Sequence, residues 1–171
     1  MKMNEPLQDI KNRRDGILQS IVGAIPFAQF LGVRVERMGD ELSVILPYDQ
    51  KLIGNPQLPA LHGGGVAEFM EFTAIISLTW YSIWDDMESG NISLDDDFTS
   101  KLNLPKTIDL TMDYLRPGLA RDAYARATVN RSGRRYASVH VEAWQDQRDR
   151  LFAQCTGHFL MPETFISQGT Q

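Results

Sequence analysis

A chain of 171 residues with 43% hydrophobic and 23% charged side chains has the make-up of one globular domain with a sizeable core, and a single domain over residues 1–171 is expected. The net charge of -5 argues against nucleic acid or an anionic membrane as partner, and the lone Cys155 rules out an intrachain disulfide. The opening MKMNEPLQDIKNRRDG mixes charges without an apolar core of signal type, so a cytoplasmic location is expected.

Pro6 to Ala24 sets Leu7, Ile10, Ile17, Leu18, Ile21 and Val22 among charges, the pattern of an amphipathic helix weakened at Gly16. Pro26 ends it, so residues 1–26 read as an N-terminal helix, and Phe27 to Leu31 fits one short helical turn. Gly32 to Met38 alternates apolar with charged, Gly39-Asp40 is a turn, and Glu41 to Pro47 answers it, which is a hairpin. Tyr48 to Ala60, with Gly54, Asn55, Pro56 and Pro59, reads as a loop. From Val66 to Trp84 nearly every residue is apolar, the signature of a helix wrapped on all sides. Its uncharged run, Phe72 to Trp84, is shorter than the roughly 20 residues a membrane span needs. Asp85, Asp86 and Glu88, then Asp95, Asp96 and Asp97, mark residues 85–103 as an acidic, mobile loop insertion.

Four strand-like stretches follow: Lys106 to Leu115, Ala120 to Arg131, Arg134 to Trp144 and Arg150 to Leu160. The fold class is therefore α+β, an antiparallel sheet of about six strands curled around one long central helix, with an additional N-terminal helix. Its free edges call for pairing with a second copy.

Two features of the long helix point to chemistry. Glu68 and Glu71 interrupt an apolar helix, and a buried carboxylate costs several kcal/mol unless it is paired, protonated or used. Gly63, Gly64 and Gly65 at the helix mouth leave backbone N–H groups uncovered, where the macrodipole welcomes an oxyanion or a polarised carbonyl. His62 just before them either positions substrate or caps the helix. No His, Cys and carboxylate grouping has metal-ligand spacing and no Ser sits in a nucleophile elbow, so neither metal nor cofactor is expected.

The order of elements, with His62-Gly63-Gly64 followed by Glu71 nine positions after the His, resembles the hotdog-fold acyl-CoA thioesterases of the phenylacetate-degradation (PaaI-like) type. Thr107 to Pro117, ending in Tyr-Leu-Arg-Pro, and Gly133-Arg134 at a later turn carry the same resemblance, which spans roughly Phe27 to Leu160. It implies a homodimer, or a tetramer of two dimers, that cleaves an acyl-CoA thioester without metal at sites on the subunit interface. It also implies roles: Glu71 as nucleophile or general base, Thr107 as the hydroxyl beside it, and His62, Gly63 and Gly64 as the segment that positions the thioester. The pattern departs at Pro56, where these enzymes often carry an Asn; Asn55 is one position away and a candidate to replace it.

Thioester hydrolysis needs an activated water or a carboxylate nucleophile, and donors for the oxyanion. Glu71 is the expected acid, and the N–H groups near Gly64 and Gly65 the expected donors. Arg116, Arg134 and Arg135 gather at strand ends, where they can meet CoA phosphates or water alike. Phe69, Phe72, Trp80 and Trp84 line a pocket or pack the core. The seven residues from Gly64 to Glu71 separate donors from acid by about 10 Å along one helix, so Glu71 and Thr107 of one chain are expected to serve His62, Gly63 and Gly64 of the other. An acyl-thioester hydratase or dehydratase and a non-catalytic acyl-CoA-binding protein are the alternatives.

Overall fold

The computed structural model describes residues 6–39, 41–92, 94–95 and 97–167; Asp40, Asp96 and the first five residues, all part of the sequence reading, lie outside them. Helix α1, Leu7–Gly23, starts behind Pro6 and buries Ile17, Leu18, Ile21 and Val22 on one face, as its spacing requires. Helix α2, Pro26–Leu31, begins with a proline in its first turn and ends at Gly32, whose φ of 76° is a left-handed cap open to glycine. Strands β1, Arg34–Met38, and β2, Glu41–Leu46, form the expected antiparallel hairpin.

The stretch expected to be a plain loop is more ordered than its prolines and glycines suggest. It holds one 3-10 turn, Gln50–Leu52, and a small antiparallel pair of strands, β3 Ile53–Asn55 and β4 Ala60–Leu61. That pair leads directly into the long helix α3, Gly63–Ser82, which starts three residues earlier than its apolar run because the glycines form its first turn.

After α3 come α4, Trp84–Glu88, and α5, Phe98–Lys101, and then β5 Lys106–Tyr114, β6 Ala123–Ser132, β7 Tyr136–Trp144 and β8 Ala153–Leu160. The six long strands make one antiparallel sheet in the order β1-β2-β6-β7-β8-β5. Its inner face covers α3, twelve of whose residues from Val66 to Trp80 are buried, including Phe69, Met70, Ile76 and Leu78. Ala125 on β6, Val139 and Val141 on β7 and Cys155 and Phe159 on β8 close the core from the sheet side. The expected architecture is present: an α+β domain whose sheet wraps one helix.

The acidic segment is fastened rather than loose, a correction to the sequence reading. Met87, Ile92 and Phe98 are buried between its charges. Arg14 of α1 grips Glu88 with two parallel hydrogen bonds of 2.8 and 2.7 Å and lies over the Trp84 ring. The aromatic side chains of α3 resolve toward packing: Phe69 and Trp80 are fully buried, Phe72 meets Phe27 edge-on, and Trp80 meets Trp84 edge-on at 5.5 Å.

Candidate active site

The mouth of α3 is closed by a histidine. His62 is the N-cap, and its Nδ1 accepts hydrogen bonds from the backbone N–H of Gly64 at 3.0 Å and of Gly65 at 3.4 Å. An imidazole that accepts at Nδ1 carries its proton on Nε2, so His62 presents a donor outward. The sequence reading expected the Gly64 and Gly65 N–H groups to be free for a carbonyl; here the histidine holds both. Neither bond uses the Gly63 N–H.

The ring's position depends on Gly54, a residue the sequence reading passed over. A Cβ at Gly54 would lie 2.7 Å from the His62 backbone and 3.0 Å from its ring, so only glycine lets β3 run this close. The signal was present as a glycine in a loop beside the motif. Asn55, next to it, turns its Oδ1 back to the N–H groups of Gln57 and Leu58 and stabilises its own turn rather than the helix mouth.

The acid end of the site joins α3 to β5. Thr107 Oγ1 donates a hydrogen bond to Glu71 Oε1, bringing together two residues far apart in sequence. Strand alternation alone would forbid this contact. Leu110, Met112 and Tyr114 are two apart and share one face, and continuing that count puts Ile108 inside and Thr107 outside. The structure breaks the count with a β-bulge: Thr107 pairs with Phe159 and Asp109 with the neighbouring His158, leaving Ile108 as the extra residue, 55% exposed. One inserted residue thus re-aims Thr107 at Glu71. At the far end of β5, Tyr114 donates from its hydroxyl to the Gly63 carbonyl at 2.7 Å and pins the strand to the helix mouth.

Glu68 stands one turn from Glu71 on the same helix, half-buried like it. Burial first, then the Glu71 charge and a side-chain hydrogen bond to Glu71, push its carboxyl above the ordinary range. Burial also pushes the Cys155 thiol on β8 up to about 12, with the Glu71 charge adding to the shift, so this cysteine is an inert core residue.

The arginines separate into two groups. Arg134 and Arg135, with Lys106, Asn103 and Leu160, line a cleft of about 1080 Å³ at the end of the sheet where β5 begins. Arg116 lies at the opposite end of β5, beside a smaller cleft shared with Arg121 and Arg150. Glu71 faces neither cleft. It lies beneath β5, an edge strand whose nine residues are all exposed or half-exposed. Among the described residues no cluster of His, Cys, Asp and Glu is placed to hold a metal, and no helix is long and apolar enough to cross a membrane.

Comparison with known proteins bears on the fold and the reaction class. The acyl-CoA thioesterase N-terminal domain model matches residues 97–160, the segment that carries β5 to β8. The medium/long-chain acyl-CoA thioesterase YigI of Escherichia coli K12 is 27% identical over 125 residues, covering 72% of this chain and 78% of its own. A crystal structure of a Chromobacterium violaceum protein is 34% identical, covers 91% of this chain and 98% of its own, and superposes with a TM-score of 0.59. The Escherichia coli PaaI protein from the phenylacetic acid degradation operon shares the fold at 17% identity and a TM-score of 0.67, over 92% of this chain and 99% of its own. With a sheet wrapped around a helix that opens on His-Gly-Gly and carries Glu71 nine positions after the His, the chain has the hotdog fold that PaaI shares and is a thioester hydrolase similar to the acyl-CoA thioesterases.

Proposed function

We propose that this thioester hydrolase cleaves acyl-CoA to free acid and CoA at a site shared between two copies of the chain, with Glu71 as its acid. The observation that carries this reading is the bond from Thr107 to Glu71: a half-buried carboxylate held in one orientation by a hydroxyl from a bulged strand. Glu71 either takes a proton from water as water attacks the thioester carbon, or attacks that carbon itself to form an anhydride that water then opens. In both routes the carbon–sulfur bond breaks and CoA leaves as the thiol. Thr107 keeps the reacting oxygen aimed.

The carbonyl oxygen needs donors that Glu71's own helix end does not bring close. Glu71 and Gly64 lie on one helix about 10 Å apart along its axis, at 1.5 Å per residue. Pairing β5 with the β5 of a second copy across a two-fold axis sets two α3 helices side by side and antiparallel, so that the acid of one faces the mouth of the other. The open edge of β5 supports this pairing, as do the exposed Ile108, Tyr114 and Leu115 along it. At that mouth the Nε2–H of His62 and the Gly63 N–H meet the carbonyl. As charge develops, the oxyanion outcompetes the neutral His62 Nδ1 for the Gly64 N–H. The same pairing carries Arg116 of one copy toward Arg134 and Arg135 of the other, which assembles a cationic surface for the CoA phosphates.

The substrate class follows YigI, whose name gives medium- and long-chain acyl-CoA. The test is release of free thiol from acyl-CoAs of increasing chain length. Turnover that rises from short to medium chains supports the reading. Hydration of an enoyl-CoA without thiol release, or binding without turnover, overturns it.

A further inference from the structure

The bond from Tyr114 to the Gly63 carbonyl does more than join strand to helix. We infer that Tyr114 is a positioning residue: its hydroxyl fixes the Gly63–Gly64 peptide and so aims the Gly64 N–H at the carbonyl of the thioester. The inference rests on the reading of the α3 mouth as the donor end of a thioesterase site.

The Gly63 carbonyl and the Gly64 N–H belong to one planar peptide unit and point in opposite directions, so whatever holds the oxygen also aims the hydrogen. The Tyr114 hydroxyl holds that oxygen at 2.7 Å. A Cβ added at Gly63 would meet Cζ and Oη of Tyr114 at 3.5 Å, so the head of the phenol sits directly against this glycine. A carbonyl oxygen has two lone pairs; Tyr114 uses one and leaves the other for the helix ladder.

The hold matters because of where the peptide lies. Gly63, Gly64 and Gly65 form the first turn of α3, and glycine confines its backbone less than any other residue. His62 Nδ1 takes the Gly64 N–H at 3.0 Å in the resting site and gives it up as the oxyanion forms. Through that exchange the acceptor changes while the bond from Tyr114 does not, and the peptide keeps its aim. The bond also polarises, since hydrogen bonding at the oxygen of a peptide strengthens donation by its N–H.

Tyr114 is placed by the backbone rather than by burial. It is 53% exposed, yet it pairs with Ala153 of β8, and the next two N–H groups, of Leu115 and Arg116, both donate to the Phe152 carbonyl at 2.9 and 3.1 Å. Thr107 and Tyr114 stand near the two ends of β5, so one strand orients both the acid and the donors of its own chain. A hydroxyl that only pinned strand to helix would change stability and nothing at the Gly64 N–H.

The experiment uses Tyr114→Phe, which removes the hydroxyl and keeps the ring, with Tyr114→Leu as a second variant. With a medium-chain acyl-CoA, kcat per folded molecule should fall about five- to tenfold in both and KM should stay unchanged, as for a hydrogen bond whose effect is realised in the transition state. A spectroscopic readout needs no turnover. In intact protein carrying glycine labelled with carbon-13 at the carbonyl and with nitrogen-15, a carbonyl-to-amide correlation arises only where glycine follows glycine, which in this sequence means Gly63–Gly64 and Gly64–Gly65. Gly65→Ala, at a position where an added Cβ meets nothing within 4 Å, removes the second signal and so assigns the first. The Gly63 carbonyl carbon should move upfield in both Tyr114 variants, the direction of a lost hydrogen bond. An unmoved Gly63 signal overturns the inference even if no acyl-CoA is cleaved. A wild-type kcat in either folded variant overturns it while leaving the thioesterase reading standing, whereas a wild-type chain that releases no thiol overturns that reading and the role within it.

Discussion

The two halves of α3 divide the protein's labour. From Gly63 to Glu71 the helix has small residues, two acids and a histidine cap, and much of it is only half-buried. From Phe72 to Trp80 every residue is buried. The second half supplies apolar area, at about 25 cal/mol per Å² of surface removed from water, and so holds the axis rigid. The first half can then carry features that would not stabilise a helix on their own: three glycines, each about 1 kcal/mol worse than alanine in a helix interior, and a pair of carboxyls. The candidate site sits at the end of a buried rod, where burial begins to fail.

Substitutions can set the two halves against each other. Glu71→Ala should lower turnover at least about a hundredfold while leaving the melting temperature unchanged or higher, because a costly half-buried carboxylate is removed. Ile76→Ala, in the second half, should cost about 2–5 kcal/mol of stability and leave kcat per folded molecule unchanged. If Glu71→Ala unfolds the protein, or Ile76→Ala abolishes turnover in folded protein, the division is wrong.

The next effect concerns whether one helix's acid serves the other's mouth. Glu71→Ala mixed with Gly64→Pro, after dissociation and reassociation, gives about half mixed dimers, each with one intact composite site. About a quarter of wild-type activity should return. No recovery between variants that demonstrably exchange subunits places acid and glycines in the same chain.

A smaller loss is expected from Thr107→Ala, about tenfold down in kcat for one lost hydrogen bond to a charged group. Deleting Ile108 leaves Thr107 opposite Phe159 on the inner face and should largely preserve kcat. A wild-type kcat in Thr107→Ala would detach that hydroxyl from the site. The smallest effect is at the cleft: Arg134→Glu should raise the KM for acyl-CoA a few-fold, and less at high salt, because an exposed charge is screened. An unchanged KM removes Arg134 from the CoA surface.

The fold was legible because its signals were periodic. The apolar run of α3, the alternation of β1 and β2 and the turns between β6, β7 and β8 each follow from side-chain spacing. The candidate site was named from a motif on one element, His62, the glycines and Glu71, but the motif does not show that His62 itself holds the Gly64 and Gly65 N–H groups. It was not legible where long-range packing decided the outcome. The Ile108 bulge inverts the facing that alternation assigns to Thr107. The role of Gly54 appears only when β3 approaches His62. The acidic segment reads as mobile because its charges outnumber Met87, Ile92 and Phe98, yet those three side chains and Arg14 tie it down.

The bare edge of β5 has a consequence for the kinetics of the protein in dilute solution. With the proposed composite site, in which acid and donors meet only across that edge, activity should follow mass action. Specific activity is constant while the protein concentration exceeds the dimer dissociation constant, and falls in proportion to concentration once it is well below. The progress curve after rapid dilution then reports subunit separation directly, as an initial rate that slows over the lifetime of the strand pair.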